Sequence, residues 1–378
     1  MALTDSTPDV PAVFPGGRIA LVGAGAFGRF CIAAYRESPD LEVVAVADPD
    51  PAALALVDAP GADVVTDWRQ IMTRPDVEAV HIAAPPWLRR EIVDEALAAG
   101  KSVFCEKPLA LTLDEADAMI QGAARSGVAL GVDYVMRHHP AYHLLYALAG
   151  SNLLGRARSI SLQNFAQVVL PNHWFWDRER SGGILVEHGV HFFDAYGQVS
   201  GPPGSVRGYA PRPEAVEVSV EYRDGAIGRY YHEFAFPAPI ERALGVVFFE
   251  AGHVEIEGWI PERVSGATLA SASSVQEIAR DVGMALDVEE GDATHFRAVL
   301  GDRTAAYRGC IVAGMRDVIR RHRDPAHRME VPPEDARRSL ALALAAQRSI
   351  DLGGTAMRVE DAELVTISSD QPFHSRDR

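Results

Sequence analysis

Three stretches of this chain hold residue types at spacings that can do chemistry. In the first, Gly23, Gly25 and Gly28 lie in VGAGAFG, with Ala26 and Phe27 between the last two glycines. An apolar run, Arg18–Val22, precedes them, and a helical pattern, Ala26–Arg36, follows. In that setting G-x-G-x-x-G reads as a phosphate cradle. The first glycine makes the tight turn, the second admits a pyrophosphate to the backbone, and the third lets helix and strand pack closely. The N–H groups at the helix start then face the anion. A second apolar run, Val43–Ala47, ends at Asp48, 20 residues past Gly28, where a carboxylate accepts hydrogen bonds from an adenosine ribose. Pro49, Asp50 and Pro51 follow and offer no cation to a 2′-phosphate, so NAD is favoured over NADP. The bland alternative is a structural glycine turn in some other α/β domain.

The second stretch is Glu106-Lys107-Pro108, reached from the apolar run Lys101–Cys105. Such a tripeptide falls at the carboxyl edge of a parallel sheet, where doubly wound folds bind ligands. A lysine there, beside a cationic nicotinamide, is suited to proton transfer or hydrogen bonding. Taken alone, a surface lysine at a strand end is the simpler reading.

The third is SGGILVEHGVHFFDAYGQVSG. Wound as an α-helix over 184–199, it gathers Glu187, His188, His191 and Asp194 on one arc, opposite Leu185, Phe192, Phe193, Tyr196 and Val199. Glu187 and His191 stand at i and i+4, so the carboxylate is expected to orient the imidazole as a general base for a hydroxyl. A solvated helix face is the competing reading. No metal site is expected, because EHGVH is not the H-E-x-x-H zinc pattern and no further ligand cluster stands out. Just upstream, Trp174, Phe175 and Trp176 are placed to stack on a sugar or cyclitol ring, with Arg178 and Arg180 nearby; simple packing competes.

The elements around these stretches predict the fold. Further strands at Val77–Ala83, Lys101–Cys105 and Val128–Val132 alternate with helices at Arg89–Ala99 and from the capping box Thr112-Leu-Asp-Glu115 to Ser126. That grammar means a doubly wound parallel sheet. After a helix at Pro140–Ala149 it changes to β-type runs, Arg158–Val169, Val216–Tyr222, Ile227–Phe236, Gly245–Glu250 and His253–Glu257, with an Asp224-Gly225 hairpin turn. Helices at about Arg303–His322 and Pro333–Leu352 close the chain. The expected class is therefore α/β: an N-terminal Rossmann domain (17–135) and a C-terminal α+β domain (136–366) with an open, mostly antiparallel sheet for substrate and oligomerisation. Residues 1–16 and 367–378 are expected to be disordered tails.

Composition narrows the partners. A chain of 378 residues is long for one core. Its net charge of −16 opposes binding to nucleic acid or an anionic membrane. Cys31, Cys105 and Cys310 give neither a disulfide framework nor zinc spacing, and point to a reducing compartment. No signal peptide or membrane span is legible, so a cytoplasmic location is expected.

In order and spacing, VGAGAFG, AGKSVFCEKPLA, GVDYVMRHHPAY and SGG…HGVHFFD resemble the Gfo/Idh/MocA oxidoreductases, the glucose–fructose oxidoreductase and inositol dehydrogenase family, from about Arg18 to Glu360. The resemblance implies a Rossmann domain followed by an α/β domain with an open antiparallel sheet, through whose face members associate as homo-oligomers. It implies hydride transfer between nicotinamide C4 and a carbinol carbon of a sugar, cyclitol or similar polyol. Lys107 would match the EKP lysine that contacts substrate and nicotinamide ribose, His191 the general base, and Glu106, Pro85 and the glycines would line the cofactor. Tyr134, Arg137, Trp174, Trp176 and His188 are expected to shape the substrate pocket. Two departures stand out: Glu187 where many members carry Asp, and Arg89, next to the bulky Trp87, where members commonly carry His. Two rivals remain: an enzyme whose tightly held NAD is recycled during epimerisation, elimination or glycoside cleavage, and a non-catalytic NAD-binding regulator.

Overall fold

The structure, a computed structural model, describes residues 16–359 and the backbone of 364–366, so the expected tails lie outside it apart from Gly16. Its first sheet comprises β1 (Gly17–Val22), β2 (Leu41–Ala47), β3 (Asp63–Val65), β4 (Ala79–Ile82), β5 (Ser102–Cys105) and β6 (Leu130–Val132). All neighbours pair in parallel, in the order β3-β2-β1-β4-β5-β6. Apart from Arg18, the central strands β1 and β4 are buried because helices cover both faces, which is why they read as largely continuous apolar runs rather than alternating ones. The order reverses between β1 and β4, and that switch point opens a crevice at the strands' carboxyl ends. The capping box forms with a small shift: Thr112 accepts from the Glu115 N–H at 3.2 Å, while Glu115 reaches back to the N–H of Leu111.

The second sheet holds β7 (Ala157–Gln167), β8 (Pro203–Arg212), β9 (Ala215–Tyr222), β10 (Ile227–Phe236), β11 (Arg242–Phe249), β12 (Gly252–Glu257), β13 (Arg263–Thr268), β14 (Asp287–Glu290), β15 (Thr294–Val299), β16 (Met357–Val359) and β17 (Leu364–Thr366). It is antiparallel except for the β7–β10 pair, which is parallel. The hairpin β9–β10 turns where expected, with Gly225 at φ +92° and Asp224 accepting from the Ala226 N–H. Strands β8 and β13 escape a reading of the sequence because glycines interrupt them. Those glycines serve packing: a Cβ at Gly208 would lie 2.6 Å from the Ala346 carbonyl, and one at Gly266 2.3 Å from Phe296.

Of the two closing helices, Pro333–Asp351 packs on β8 and on the helix Val190–Ser200. Arg303–Arg323 instead covers the first sheet and the helix Ala26–Glu37, with Ile319 under Gly17 and the Phe30 and Tyr307 rings tilted against each other, centroids 5.0 Å apart. That return brings the side chain of Tyr307 to the crevice.

Candidate active site

The glycine turn has the shape its spacing requires. Gly23 sits at φ +106°, and a Cβ there would meet the Ala83 backbone at 2.8 Å. One at Gly28 would overlap the Gly23 carbonyl at 1.9 Å. Gly25 differs: nothing lies within 4 Å of its Cβ position. Two glycines close the turn and the third leaves open ground above the first helix turn, whose N-cap has no side-chain cap. A pyrophosphate fits that arrangement. Ala26 and Phe27 open this helix. Asp48 accepts the N–H groups of Ala24 at 2.7 Å and Asp50 at 2.9 Å, so it braces the turn as well as standing at the end of β2. Pro85 caps the helix Pro86–Ala98 at the end of β4, across the crevice.

At the end of β5, Lys107 precedes a cis peptide to Pro108. Its ammonium donates to the carboxylate and to the carbonyl of Glu187, each at 2.8 Å. Beneath it, Glu106 is buried and accepts from His81 at 3.2 Å, while the other nitrogen of His81 meets the Tyr35 hydroxyl at 2.6 Å. Burial works to raise the Glu106 carboxyl, yet the His81 contacts bring it below its usual range. Asp133, following β6, is 1 % exposed, and both its oxygens lack a partner among the described residues. Burial and the Glu106 charge push it well above the carboxylate range, which favours its protonated form. Cys31, His81 and Glu106 bring one potential metal-ligand atom each within 4.8 Å of one another. Both His81 nitrogens already have partners, and burial drives the Cys31 thiol up, away from the thiolate a metal needs.

The third stretch departs from an ideal α-helix. Leu185–Gly189 forms a π-turn that feeds the α-helix Val190–Ser200. The wider turn rotates the residues before His191 relative to those after it, so the expected common arc breaks up. Glu187 turns to Lys107 instead of His191. His188 turns to Asn164 of β7, at 2.9 Å, and Asn164 also meets His232 of β10 at 3.3 Å. Asp194 turns to Arg137. His191 itself is 4 % exposed, and its Nδ1 has no partner among the described residues. Burial first, then the Lys107 charge, hold it well below the ordinary imidazole range, so it is neutral and able to accept a proton.

The expected substrate residues divide. Arg137 is held by Asp194 at 3.2 Å, Asp335 at 2.9 Å and the Glu330 carbonyl in a buried latch, its Nε without a partner among the described residues. Tyr134 directs its hydroxyl to Ser339 at 2.7 Å and presents only its ring to His191, with centroids 5.8 Å apart. Trp176 donates to the Val169 and Leu170 carbonyls and lines an apolar cavity of about 740 Å³ that neither Lys107 nor His191 lines. Arg178 forms a bidentate pair with Asp351. Trp174 meets Trp87 edge-on at 5.4 Å, and Arg180 lies over Trp87 at 5.3 Å, so this trio bridges the two sheets' loops. Residues that sequence reasoning missed complete the wall: Trp259 lies 6.1 Å from His191 and 5.0 Å from Tyr307, which packs on Phe27 and Phe30. Nothing in their spacing marks Trp259, Tyr307 or Asn164. Asp133 was accessible to the rule that found Lys107, since it too follows a strand at the carboxyl edge.

A parallel six-stranded sheet with a glycine cradle at its switch point, joined to a second sheet that carries a histidine helix, defines a dinucleotide-binding oxidoreductase fold. Residues 17–134 match the model described as "Oxidoreductase family, NAD-binding Rossmann fold", and 142–252 match the "GFO/IDH/MocA C-terminal domain". The chain belongs to the Gfo/Idh/MocA family. It is 33% identical over 177 residues (46% of this chain, 47% of the other) to a 2,7-anhydro-N-acetylneuraminate hydratase of Mediterraneibacter gnavus. It is 28% identical over 258 residues (65% and 79%) to the rhizopine catabolism protein MocA of Rhizobium meliloti. The chain spans about half the length of the first curated relatives it matches. Among solved structures it is similar in fold to a levoglucosan dehydrogenase in complex with NADH and L-sorbose (TM-score 0.77, 18% identity, 91% of this chain and 99% of that one). A myo-inositol dehydrogenase of Corynebacterium glutamicum superposes with TM-score 0.71 at 19% identity, over 91% and 99% of the two chains. No helix among the described residues is long and apolar enough to cross a membrane.

Proposed function

We propose that this chain is an NAD-dependent enzyme acting on CH–OH groups of a sugar, cyclitol or related polyol. NAD, when bound, supplies the hydride acceptor at nicotinamide C4, or the donor in the reverse direction. Gly23, Gly25, Ala26, Phe27 and Gly28 would hold the pyrophosphate, Asp48 the adenosine ribose, and Pro85, Glu106 and Lys107 the nicotinamide half. The orphaned Asp133 carboxyl and the open ground at Gly25 support that fit.

The reading rests on one juxtaposition: Lys107 and the helix carrying Glu187 and His191 meet at the carboxyl edge of the parallel sheet, in contact through 2.8 Å bonds. His191, neutral and with a free ring nitrogen, takes the hydroxyl proton. Lys107 gives two of its three N–H donors to Glu187 and keeps the third for the substrate oxygen. Glu187 acts by holding Lys107, not by orienting His191. Tyr134, Trp174 and His188 wall the substrate space, while Arg137 and Trp176 hold the wall from behind. The second sheet's exposed face serves as a homo-oligomer contact, checked by light scattering.

A hydratase among the relatives keeps a second reading in play, in which NAD is recycled within one turnover of elimination or epimerisation. Titration calorimetry of cofactor-stripped protein with NAD and NADP, then a 340 nm screen on cyclitols and aldoses, tests both. NAD binding with turnover lost in Lys107→Ala and His191→Ala supports the dehydrogenase. NAD binding with product formed and no net absorbance change supports recycling; NAD binding without chemistry points to a regulator.

A further inference from the structure

We infer that Arg89 is a positioning residue that locks the Lys107 loop to the cofactor side of the crevice. Arg89 lies in the second turn of the helix Pro86–Ala98 and is 5 % exposed. Its Nε donates to the Ala84 carbonyl at 2.8 Å, and its Nη1 donates to the Glu106 carbonyl at 2.9 Å and the Pro108 carbonyl at 2.5 Å. No carboxylate is among its hydrogen-bonded partners. These three carbonyls belong to chain leaving β4 and β5 at their carboxyl ends, beyond the strand ladders that would otherwise satisfy them. Without Arg89 the Ala84 and Pro108 carbonyls would lose these donors, and the Glu106 carbonyl would keep only the weak Cys105 thiol at 3.4 Å. One guanidinium reaches all three through Nε and Nη1, which its rigid plane holds in fixed relation.

The consequence is mechanical. Ala84 adjoins Pro85 on the cofactor side, and Glu106 and Pro108 flank Lys107 on the substrate side. Arg89 makes these two loops one body, so the Lys107 ammonium has a set position relative to the nicotinamide end of the crevice. Glu187 fixes the tip of Lys107 from the π-turn Leu185–Gly189; Arg89 fixes its base. The inference rests on the proposed role of Lys107, so its test is chosen to need no turnover.

The chain contains only two lysines, Lys101 and Lys107. Lysine labelled biosynthetically with ¹³C at Cε therefore gives two NMR signals. Lys101, whose ammonium is held by the Arg74 and Val77 carbonyls, immediately precedes the same strand and serves as an internal control. In Arg89→Ala, the Lys107 signal is expected to shift and broaden as its ammonium leaves its set position, with the Lys101 signal unchanged. Arg89→Gln, which keeps one amide donor, is expected to fall between. With an active polyol, kcat falls by about 10²-fold while the KM for NAD moves much less, as for a misplaced catalytic group. An unchanged Lys107 signal in a variant with a native Lys101 signal overturns the inference. Loss of both signals in both variants assigns Arg89 to folding as a whole and overturns it too. If Lys107 responds as expected but no polyol is ever turned over, the brace stands and the dehydrogenase reading falls.

Discussion

Lys107 and Glu187 are joined twice: the ammonium donates at 2.8 Å to the Glu187 carboxylate and at 2.8 Å to its carbonyl. Glu187 lies within the π-turn over Leu185–Gly189. Side chain and backbone of one residue thus hold the lysine from the π-turn, with side-chain exposures of 15% and 16% that keep water largely away.

Removing the side chain should therefore leave half of this grip. Glu187→Ala is expected to lower kcat by about tenfold, with NAD affinity by calorimetry nearly unchanged. Combined with Lys107→Ala, the loss should be far from additive, as for residues acting as one unit. Additive losses would separate Glu187 from Lys107.

His191→Asn should remove the base without disturbing the cradle. Turnover is expected to fall by about 10²–10⁴-fold. NADH binding, followed by fluorescence, should persist. Equal loss of both would place His191 in folding rather than in proton transfer.

Asp48 has a double task. Asp48→Ala should weaken NAD binding and narrow its advantage over NADP, because the ribose contact is lost. It also strips the Ala24 and Asp50 N–H groups of their acceptor, each such charged hydrogen bond being worth about 1.5–3 kcal/mol. A lower Tm in the absence of cofactor, alongside the weaker binding in calorimetry, is the joint signature.

Arg137→Met separates wall from ligand contact. It leaves Asp194 and Asp335 buried around a missing cation, and burial already pushes the Asp194 carboxyl up to about 7. Breaking a buried pair of this kind costs about 3–5 kcal/mol. Denaturant unfolding should show that loss, with the KM for polyol little changed in whatever protein stays folded. A large rise in KM at native stability would return Arg137 to the substrate.

The buried imidazoles set the acid limit. Burial lowers His138 to about 3, His139 to about 4 and His232 to about 3, and holds His188 and His191 well below 6.5. The unfolded chain therefore takes up protons first as pH falls below 6.5, and stability is lost from there toward about 4. Asp133 and Asp194, both raised mainly by burial, act in the opposite sense over part of that range. Five imidazoles outweigh two carboxyls, and each unbalanced group contributes about 1.4 kcal/mol per pH unit. Tm should fall steadily between pH 6.5 and 4.5; a flat profile would mean these imidazoles are hydrated.

Much of the cofactor side was legible in the sequence, because its chemistry is local. A strand, a glycine turn, a helix start and an acid at the next strand end lie within 31 residues, Arg18–Asp48, and backbone sterics at Gly23 and Gly28 leave little choice of geometry. The same locality placed Lys107 at a strand end and gave the parallel order of elements. What lay beyond was decided by packing between distant segments. Whether Glu187 serves His191 or Lys107 turned on one wider helical turn, which periodicity at 100° per residue cannot register. Whether Arg137 points at a ligand turned on two carboxylates 57 and 198 residues away. The three carbonyls that hold Arg89, and the return of Tyr307 to the first sheet, exist only once two sheets are joined. Residue type and spacing determine which groups are present and which local turns they make; side-chain direction follows from the tertiary partners that satisfy each buried polar group.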